Sequence, residues 1–282
     1  MRLLITGAGG MLGTDVRRAG ERAGHQVTAL ARADLDIRSA AAVRAALGTH
    51  APDVVINCAA FTDVDGAETD PEARRINAEA PALVAEAAAA SGAWTLHISS
   101  DYVFAGDTGT PYVESDATGP LSAYGASKLD GELGVARAAP DAHTIVRSSW
   151  LFGSAGRCFP DTMLRLAAER DELTVVDDQV GCPTFTGHLA DALIDLAERG
   201  MRPSGVLHCA AAGHCSWFEF AQATLEEAGV DTPVRPVSTA EFPRPARRPA
   251  HSVLRSSRAD APRLPHWRQG LSEYLHARLV AR

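Results

Sequence analysis

The sequence predicts an α/β protein, a doubly wound parallel sheet with a smaller C-terminal domain, and its ordering carries that prediction. Short apolar runs recur at residues 2–6, 26–30, 53–57, 94–99 and 144–147, each the length of a buried parallel strand. Stretches with apolar residues at helical spacing separate them, and that alternation builds βαβ units. A glycine cluster, Gly7-Ala8-Gly9-Gly10-Met11-Leu12-Gly13, stands where the first strand meets the first helix.

Arg2-Leu3-Leu4-Ile5-Thr6 reads as the first strand, and Leu12, Val16, Ala19 and Ala23 follow on one helical face. Gly24 can stop that helix. The pattern G-x-G-x-x-G fails, because Leu12 stands at its third glycine; Gly7, Gly10 and Gly13 fit G-x-x-G-x-x-G instead. The physical need is similar: a tight turn, close backbone approach to a pyrophosphate, and a helix N-terminus facing the anion. Gly7, Gly10, Met11, Leu12 and Gly13 are therefore candidate cofactor contacts in a Rossmann-type loop.

The second strand, 26–30, ends at Ala31-Arg32. An acidic residue there would hold adenosine ribose hydroxyls, as NAD requires. Arg32 stands there instead, ready for a 2′-phosphate, which favours NADPH; NADH stays open because Asp34 could swing in. Asp36 is either an adenine contact or the cap of a helix beginning near Ser39. The third strand, 53–57, leads into Cys58-Ala59-Ala60, and the small Ala59 and Ala60 allow close approach of a nicotinamide ribose. Phe61-Thr62-Asp63-Val64-Asp65 continues that edge towards a substrate, with Thr62 and Val64 as candidate contacts. One long alanine-rich helix is expected from Pro71 to Ser91, with Asn77 as a buried hydrogen-bond brace.

The fourth strand, 94–99, delivers Ser100 and Tyr102 at its end, where open α/β sheets bind ligands. His97 within it reads as a satisfied core histidine. Residues 105–123, rich in Gly, Thr, Pro and Asp, form a loop of the lid or positioning kind. Tyr124 and Lys128 then lie four residues apart on one helix face. The Lys128 charge would favour ionised Tyr124 and lower its pKa, while Ser100 would hold a carbonyl oxygen beside the phenol. With the glycine loop, this arrangement points to carbonyl reduction by hydride transfer. The same helix is expected to bury Leu129, Leu133 and Ala136, leaving Tyr124 and Lys128 on a different side.

A fifth strand, 144–147, runs into Ser148-Ser149-Trp150. Residues 1–150 are assigned to the dinucleotide domain and 151–282 mainly to substrate, with some segments returning to the first. Past Gly153 only a helix near 162–170, a strand at 173–176 and a helix at 189–199 look regular. Residues 178–184 form a turn that approaches the site or merely connects. Arg244, Arg247, Arg248, Arg255, Arg258 and Arg263 are either a solvated charge run or supply a clamp for a diphosphate.

A net charge of −8 argues against a general nucleic-acid binder. No apolar run is long enough to cross a membrane, and none at the start reads as a leader. The five cysteines include no C-x-x-C, which fits a reduced cytoplasmic protein with packed thiols rather than a zinc site.

Assembled, Thr6-Gly7-x-x-Gly10-x-x-Gly13, Asn57-Cys58-Ala59-Ala60, Ser100 and Tyr124-x-x-x-Lys128 resemble the extended short-chain dehydrogenase/reductase superfamily. Ser99-Ser100-Asp101-Tyr102-Val103-Phe104, Arg147-Ser148-Ser149-Trp150, Asp178-Gln179-x-Gly181-x-Pro183-Thr184 and Ala246-Arg247-Arg248-Pro249-x-x-Ser252-x-Leu254 resemble, within it, the dTDP-4-dehydrorhamnose reductase family. That resemblance implies NADPH-dependent reduction of the C4 ketone of a dTDP-linked 4-keto-6-deoxy sugar, giving dTDP-L-rhamnose in the usual case. It implies Tyr124 as proton donor, Lys128 as pKa tuner and ribose ligand, and Ser100 as the carbonyl-orienting group. Tyr102 and Trp150 would flank the sugar, and Arg247 with Arg248 would lie near the diphosphate. A homodimer is compatible with it. Some members hold magnesium through glutamates at a dimer interface; the matching positions here are Asp15 and His188, so no required metal is expected. The alternatives are a 4-ketoreductase for another nucleotide deoxysugar, as in natural-product pathways, and a non-catalytic nucleotide-binding regulatory subunit.

Overall fold

The computed structural model describes residues 1–280; the expected second domain runs two residues beyond them. Five strands, β1 (Arg2–Thr6), β2 (Gln26–Leu30), β3 (Val54–Asn57), β4 (Trp94–Ser100) and β5 (His143–Ser148), form a parallel sheet together with the strand Gly205–His208. Their order is Gly205–His208, β5, β4, β3, β1, β2. The order reverses beside β1, and the crevice at that switch is where the carboxyl ends of β1, β3 and β4 open. Thr6, Asn57 and His97 lie side by side in the register there.

Alternate side chains explain why the strands are mostly apolar. Leu3, Ile5, Val54, Ile56, Leu96 and Ile98 pack against Leu12, Val16, Leu189 and Leu193 on one face. Leu4 and Val55 face the other way, onto Val43, Leu47, Val84 and Ala88. A sheet covered on both faces favours apolar residues on both sides of its strands. The helix Met11–Arg22 ends in a left-handed turn at Gly24 (φ +76°). There His25 N–H donates to Gly20 O at 3.0 Å.

The expected single helix from Pro71 to Ser91 is instead a composite of Glu72–Arg74, a widened π turn at Arg75–Glu79, and Ala80–Ala90. Pro81 has no N–H to give the Asn77 carbonyl, so the regular ladder cannot pass through that turn. The bulge carries Asn77 inward as the expected brace. Its amide accepts from Phe61 N–H at 2.8 Å and donates to Phe61 O at 3.0 Å and to Ser127 Oγ at 3.2 Å.

The helix Ala123–Ala138 meets the expectation only in part: Leu129 and Ala136 are half-buried against the core, but Leu133 is not, and Lys128 lies inside. Leu133 is 49% exposed, whereas Lys128 is 2% exposed. Its buried face carries glycines beside Val135. A Cβ on Gly125 would stand 2.2 Å from Tyr102 O, and one on Gly131 would stand 2.1 Å from Asn77 O. The close approach these glycines permit brings Ser127, Lys128 and Glu132 into the interior with them.

The region past Gly153 is more regular than its sequence rhythm suggests. Helices span Phe159–Ala167, Thr186–Glu198, Trp217–Glu227 and Trp267–Val280. The third opens with a reciprocal capping box between Ser216 and Glu219. Phe152, Phe220, Trp267, Leu271 and Tyr274 form a second core. Thr186–Glu198 packs on Met11–Arg22, and Gly205–His208 returns to the main sheet beside β5. Half of the 105–123 loop is pinned in place. Tyr112 stacks on Phe104 at 4.2 Å, and its hydroxyl accepts from Gly106 N–H at 2.8 Å.

Candidate active site

The glycine loop lies at the switch point. Gly7 has φ +67°, and a Cβ there would meet Ala59 N at 2.6 Å. On Gly13 a Cβ would stand 2.3 Å from Gly7 O, so the helix can seat on the loop only without a side chain. Gly10 precedes the first helical turn and offers no side-chain cap, which leaves the turn's N–H groups, including those at Met11 and Leu12, suited to an anion. Ala59 borders this loop just past the end of β3. These observations fit a dinucleotide.

At the end of β2, Asp34 is committed to the turn, its Oδ2 accepting from Ala31 N–H at 2.9 Å. Arg32 is exposed beside it. Asp36 is not a helix cap: Ser39 caps the helix Ala40–His50 by accepting from Ala42 N–H. Asp36 pairs with Arg38 at 2.8 Å and 2.9 Å instead, which holds its carboxyl below the usual range.

Ser100, Tyr124 and Lys128 converge at the end of β4. The Tyr124 ring stands edge-on to Tyr102, with centroids 5.8 Å apart. Burial pushes the Tyr124 phenol up to about 12, and a hydrogen bond with Ser100 pulls it partly back. Lys128 Nζ donates to the Ile98 carbonyl at 2.7 Å, from beneath the site. The lysine therefore does not lower the phenol as the sequence spacing suggested. Its charge acts on Cys58 and His97 instead, while burial outweighs other influences at Tyr124. A phenol with so high a pKa is fully protonated near neutrality, which is the form a proton donor needs.

Burial also pushes Lys128 down to about 8, with Glu132 opposing the shift. An unfolded lysine holds its proton to about 10.4. Between about 8 and about 10.4 the unfolded chain therefore binds the proton that the folded chain has released, so this group makes stability rise with pH. Urea unfolding of wild type across that window is expected to show the rise, and Lys128→Met is expected to remove this contribution.

His97 is buried and uncharged: burial holds it well below its ordinary value. Its Nδ1 meets Asn57 Nδ2 at 3.1 Å, but Nε2 has no partner among the described residues, so it is satisfied on one side only. Thr62 is exposed and Val64 half-buried on the loop after β3. Trp150 adopts a left-handed φ of +46°, stacks on Trp217 at 3.5 Å and lies against Gly181. Such strain in a non-glycine residue persists only where its surroundings enforce it. The 178–184 turn is thus packed against the site rather than a free connector.

The arginine-rich segment divides. Arg244 and Arg248 are held by Asp65, Arg248 through two 2.9 Å contacts, and Asp65 is kept well below the usual carboxylate range. Arg258 pairs with Asp260. Arg247 is exposed and in no ion pair among the described residues. The sequence reading gave no role to Asp65, or to Asp101, whose carboxylate collects three serine hydroxyls.

Residues 1–280 match the family model described as the RmlD substrate binding domain. The chain belongs to that family. Membership is supported along its whole length by a Streptomyces griseus dTDP-4-dehydrorhamnose reductase, 45% identical over 96% of this chain and 92% of that protein. A Streptomyces antibioticus protein named probable dTDP-4,6-dihydroxy-2-methyloxan-3-one 4-ketoreductase is 47% identical over 97% of this chain and 94% of its own. Among solved structures, the dTDP-4-dehydrorhamnose reductase of Bacillus anthracis, in complex with NADP, has a TM-score of 0.93. It is 36% identical and covers 98% of this chain and 99% of its own. The positions matched to the family's magnesium site are otherwise engaged in this member. Asp15 accepts from Thr186 Oγ1 at 2.6 Å, and His188 Nε2 contacts Glu273 at 2.7 Å. That set does not fit a carboxylate-held magnesium ion.

Proposed function

We propose that the protein reduces the C4 ketone of dTDP-4-dehydro-L-rhamnose to dTDP-L-rhamnose with NADPH. The observation that carries this reading is the convergence of Ser100, Tyr124 and Lys128 beside the glycine loop, in a full-length member of the family. NADPH when bound supplies the hydride. Gly7, Gly10, Met11, Leu12 and Gly13 hold its pyrophosphate, Arg32 its 2′-phosphate, and Asp36, Ala59, Ala60, Tyr124 and Lys128 line the remainder. Tyr124 donates a proton to the C4 oxygen, and Ser100 fixes the phenol and that oxygen relative to each other. The oxygen grows more basic as the ketone is reduced, so these contacts bind the transition state more tightly than the ketone. Thr62, Val64, Tyr102 and Trp150 contact the sugar nucleotide, with Arg247 free for its phosphates. The five unpaired thiols suit a reducing, cytoplasmic setting.

Arg32→Ala is expected to raise KM for NADPH about 10–100-fold, the worth of a charge-assisted hydrogen bond, and to leave KM for NADH nearly unchanged. Steady-state kinetics with each cofactor checks this. The Streptomyces antibioticus relative favours a second reading, 4-keto reduction of another dTDP-linked deoxysugar. NADPH consumption with dTDP-4-keto-6-deoxyglucose, with and without the 3,5-epimerase, separates the two. Turnover that requires the epimerase supports the rhamnose reading; turnover without it supports the second; none with either contradicts the rhamnose reading.

A further inference from the structure

The two edges of the substrate site meet at one carboxylate. Asp65, on the loop after β3, accepts from Arg248 Nη1 and Nη2 and from Arg244 Nε at 2.9 Å each, and from the Ala246 N–H at 3.1 Å. Further contacts fix both edges beside the phenol. Glu68, three residues past Asp65, accepts from the Ala123 N–H at 2.9 Å, next to Tyr124. On the other edge Pro249 lies so close to Gly106 that a Cβ there would stand 2.3 Å from Pro249 Cβ. Ser252 Oγ donates to Asp101 at 2.5 Å, next to Tyr102.

The arginines on Asp65 are not held alike. Arg248 is 15% exposed, grips both carboxylate oxygens and also donates to the Ala246 carbonyl at 2.7 Å. Arg244 is 49% exposed and places two N–H groups on one oxygen, Oδ2, which it shares with Arg248. A guanidinium carries five N–H donors, so three of those on Arg244 remain for another acceptor. Arg247 is exposed and in no ion pair among the described residues. Three guanidiniums against one carboxylate leave two positive charges at this edge, in a chain whose net charge is −8. Two positive charges match a diphosphate, and the guanidinium fork matches its oxygens.

We propose that Asp65 is a positioning residue for the diphosphate of the substrate: it anchors Arg248 and holds Arg244 beside it, so that Arg244 and Arg247 bind the two phosphates. The inference deepens the reading of a dTDP-linked substrate and rests on it. Charge alone argues the other way, because an acid beside an anion site repels the anion and its removal would tighten binding. Position reverses that sign. Without the carboxylate, two guanidiniums that share one oxygen repel each other, and Arg244, the more exposed, moves into solvent. Binding then has to order that side chain again, at a cost in conformational entropy. When Arg244 turns its free N–H groups to phosphate, Asp65 is not left bare, since Arg248 and the Ala246 N–H stay on it.

The test is calorimetric titration with dTDP, run beside titration with NADPH. Arg244→Ala and Arg247→Ala are each expected to weaken dTDP about 10–100-fold, the worth of a charge-assisted hydrogen bond, and to leave NADPH affinity nearly unchanged. Asp65→Asn is expected to weaken dTDP too, against the sign of simple repulsion, and Asp65→Glu, which keeps the charge, to recover part of the loss. In the Arg244→Ala background Asp65→Asn is expected to cost nothing further, because Asp65 acts through that arginine. With a dTDP-linked keto sugar as substrate, the losses are expected in KM rather than in kcat. Tighter or unchanged dTDP binding in Asp65→Asn would overturn the proposal. So would losses that add in the double variant, or that fall equally on NADPH, as a merely structural tie would make them. Arg244 is exposed, so its variant folds in any case, and unchanged dTDP binding in it would by itself overturn the proposal. Should wild type bind dTDP but turn over no dTDP-linked keto sugar, the reductase reading fails, and the same variants still decide the role of Asp65.

Discussion

Tyr124→Phe is expected to lower kcat by about 10²–10⁴-fold, the span typical of losing one positioned general acid. The substitution keeps the ring and its edge-on contact with Tyr102 at 5.8 Å, so the pocket keeps its shape. What it removes is the Tyr124 hydroxyl alone. Because burial holds that phenol near 12, it is protonated across the neutral range, and the loss is expected at every pH from about 6 to about 9 rather than on one limb. NADPH affinity, measured by titration of the variant, is expected to change little. A Phe variant with near-wild-type kcat would remove Tyr124 from the chemistry.

Arg147→Met is expected to cost about 3–5 kcal/mol of stability, because it leaves a buried glutamate without its counter-ion. Arg147 and Glu132 are 4% and 3% exposed and pair through two contacts, at 2.8 Å and 2.6 Å. The guanidinium also lies over the Phe104 ring, 5.0 Å from its centroid. Most of the expected cost is the stranded charge rather than the worth of the pair. The double variant Arg147→Met/Glu132→Leu is therefore expected to recover much of the loss in urea denaturation. Equal destabilisation of single and double variants would mean that packing dominates. The pair also bears on the site, because Glu132 opposes the downward shift of Lys128 one helical turn away. Removing it is expected to let Lys128 lose its proton at a lower pH.

The sheet and the cofactor loop were legible because the information lies in contiguous residues. Each strand is a short apolar run, and the spacing of Gly7, Gly10 and Gly13 sits directly after the first. The helix carrying Tyr124 was legible in position but only partly in orientation, since Leu129 and Ala136 pack inward and Leu133 does not. Its buried face is written in Gly125, Gly131 and Gly134, which a search for large apolar residues passes over. Pro81 was visible, but its effect on the Asn77 turn depends on a helical register that only the fold supplies.

The polar groups around the site were hidden by sequence distance. Ser149 and Ser252 reach Asp101 from 48 and 151 residues away, and Arg248 reaches Asp65 from 183. In the C-terminal half one signal was present and local: Ser216 and Glu219 form a capping box before an apolar run. The strand Gly205–His208 carries four residues and no distinctive pattern, so its return to the sheet depends on pairing with β5.

The central claim is transfer of a hydride to C4 of a dTDP-linked sugar. Reduction with NADPH carrying deuterium at the transferring position, in the presence of the 3,5-epimerase, followed by NMR of the product, tests it most directly. The expected product is dTDP-L-rhamnose with deuterium on the sugar C4 and nowhere else. Deuterium at another carbon, or a product without it, would contradict the account.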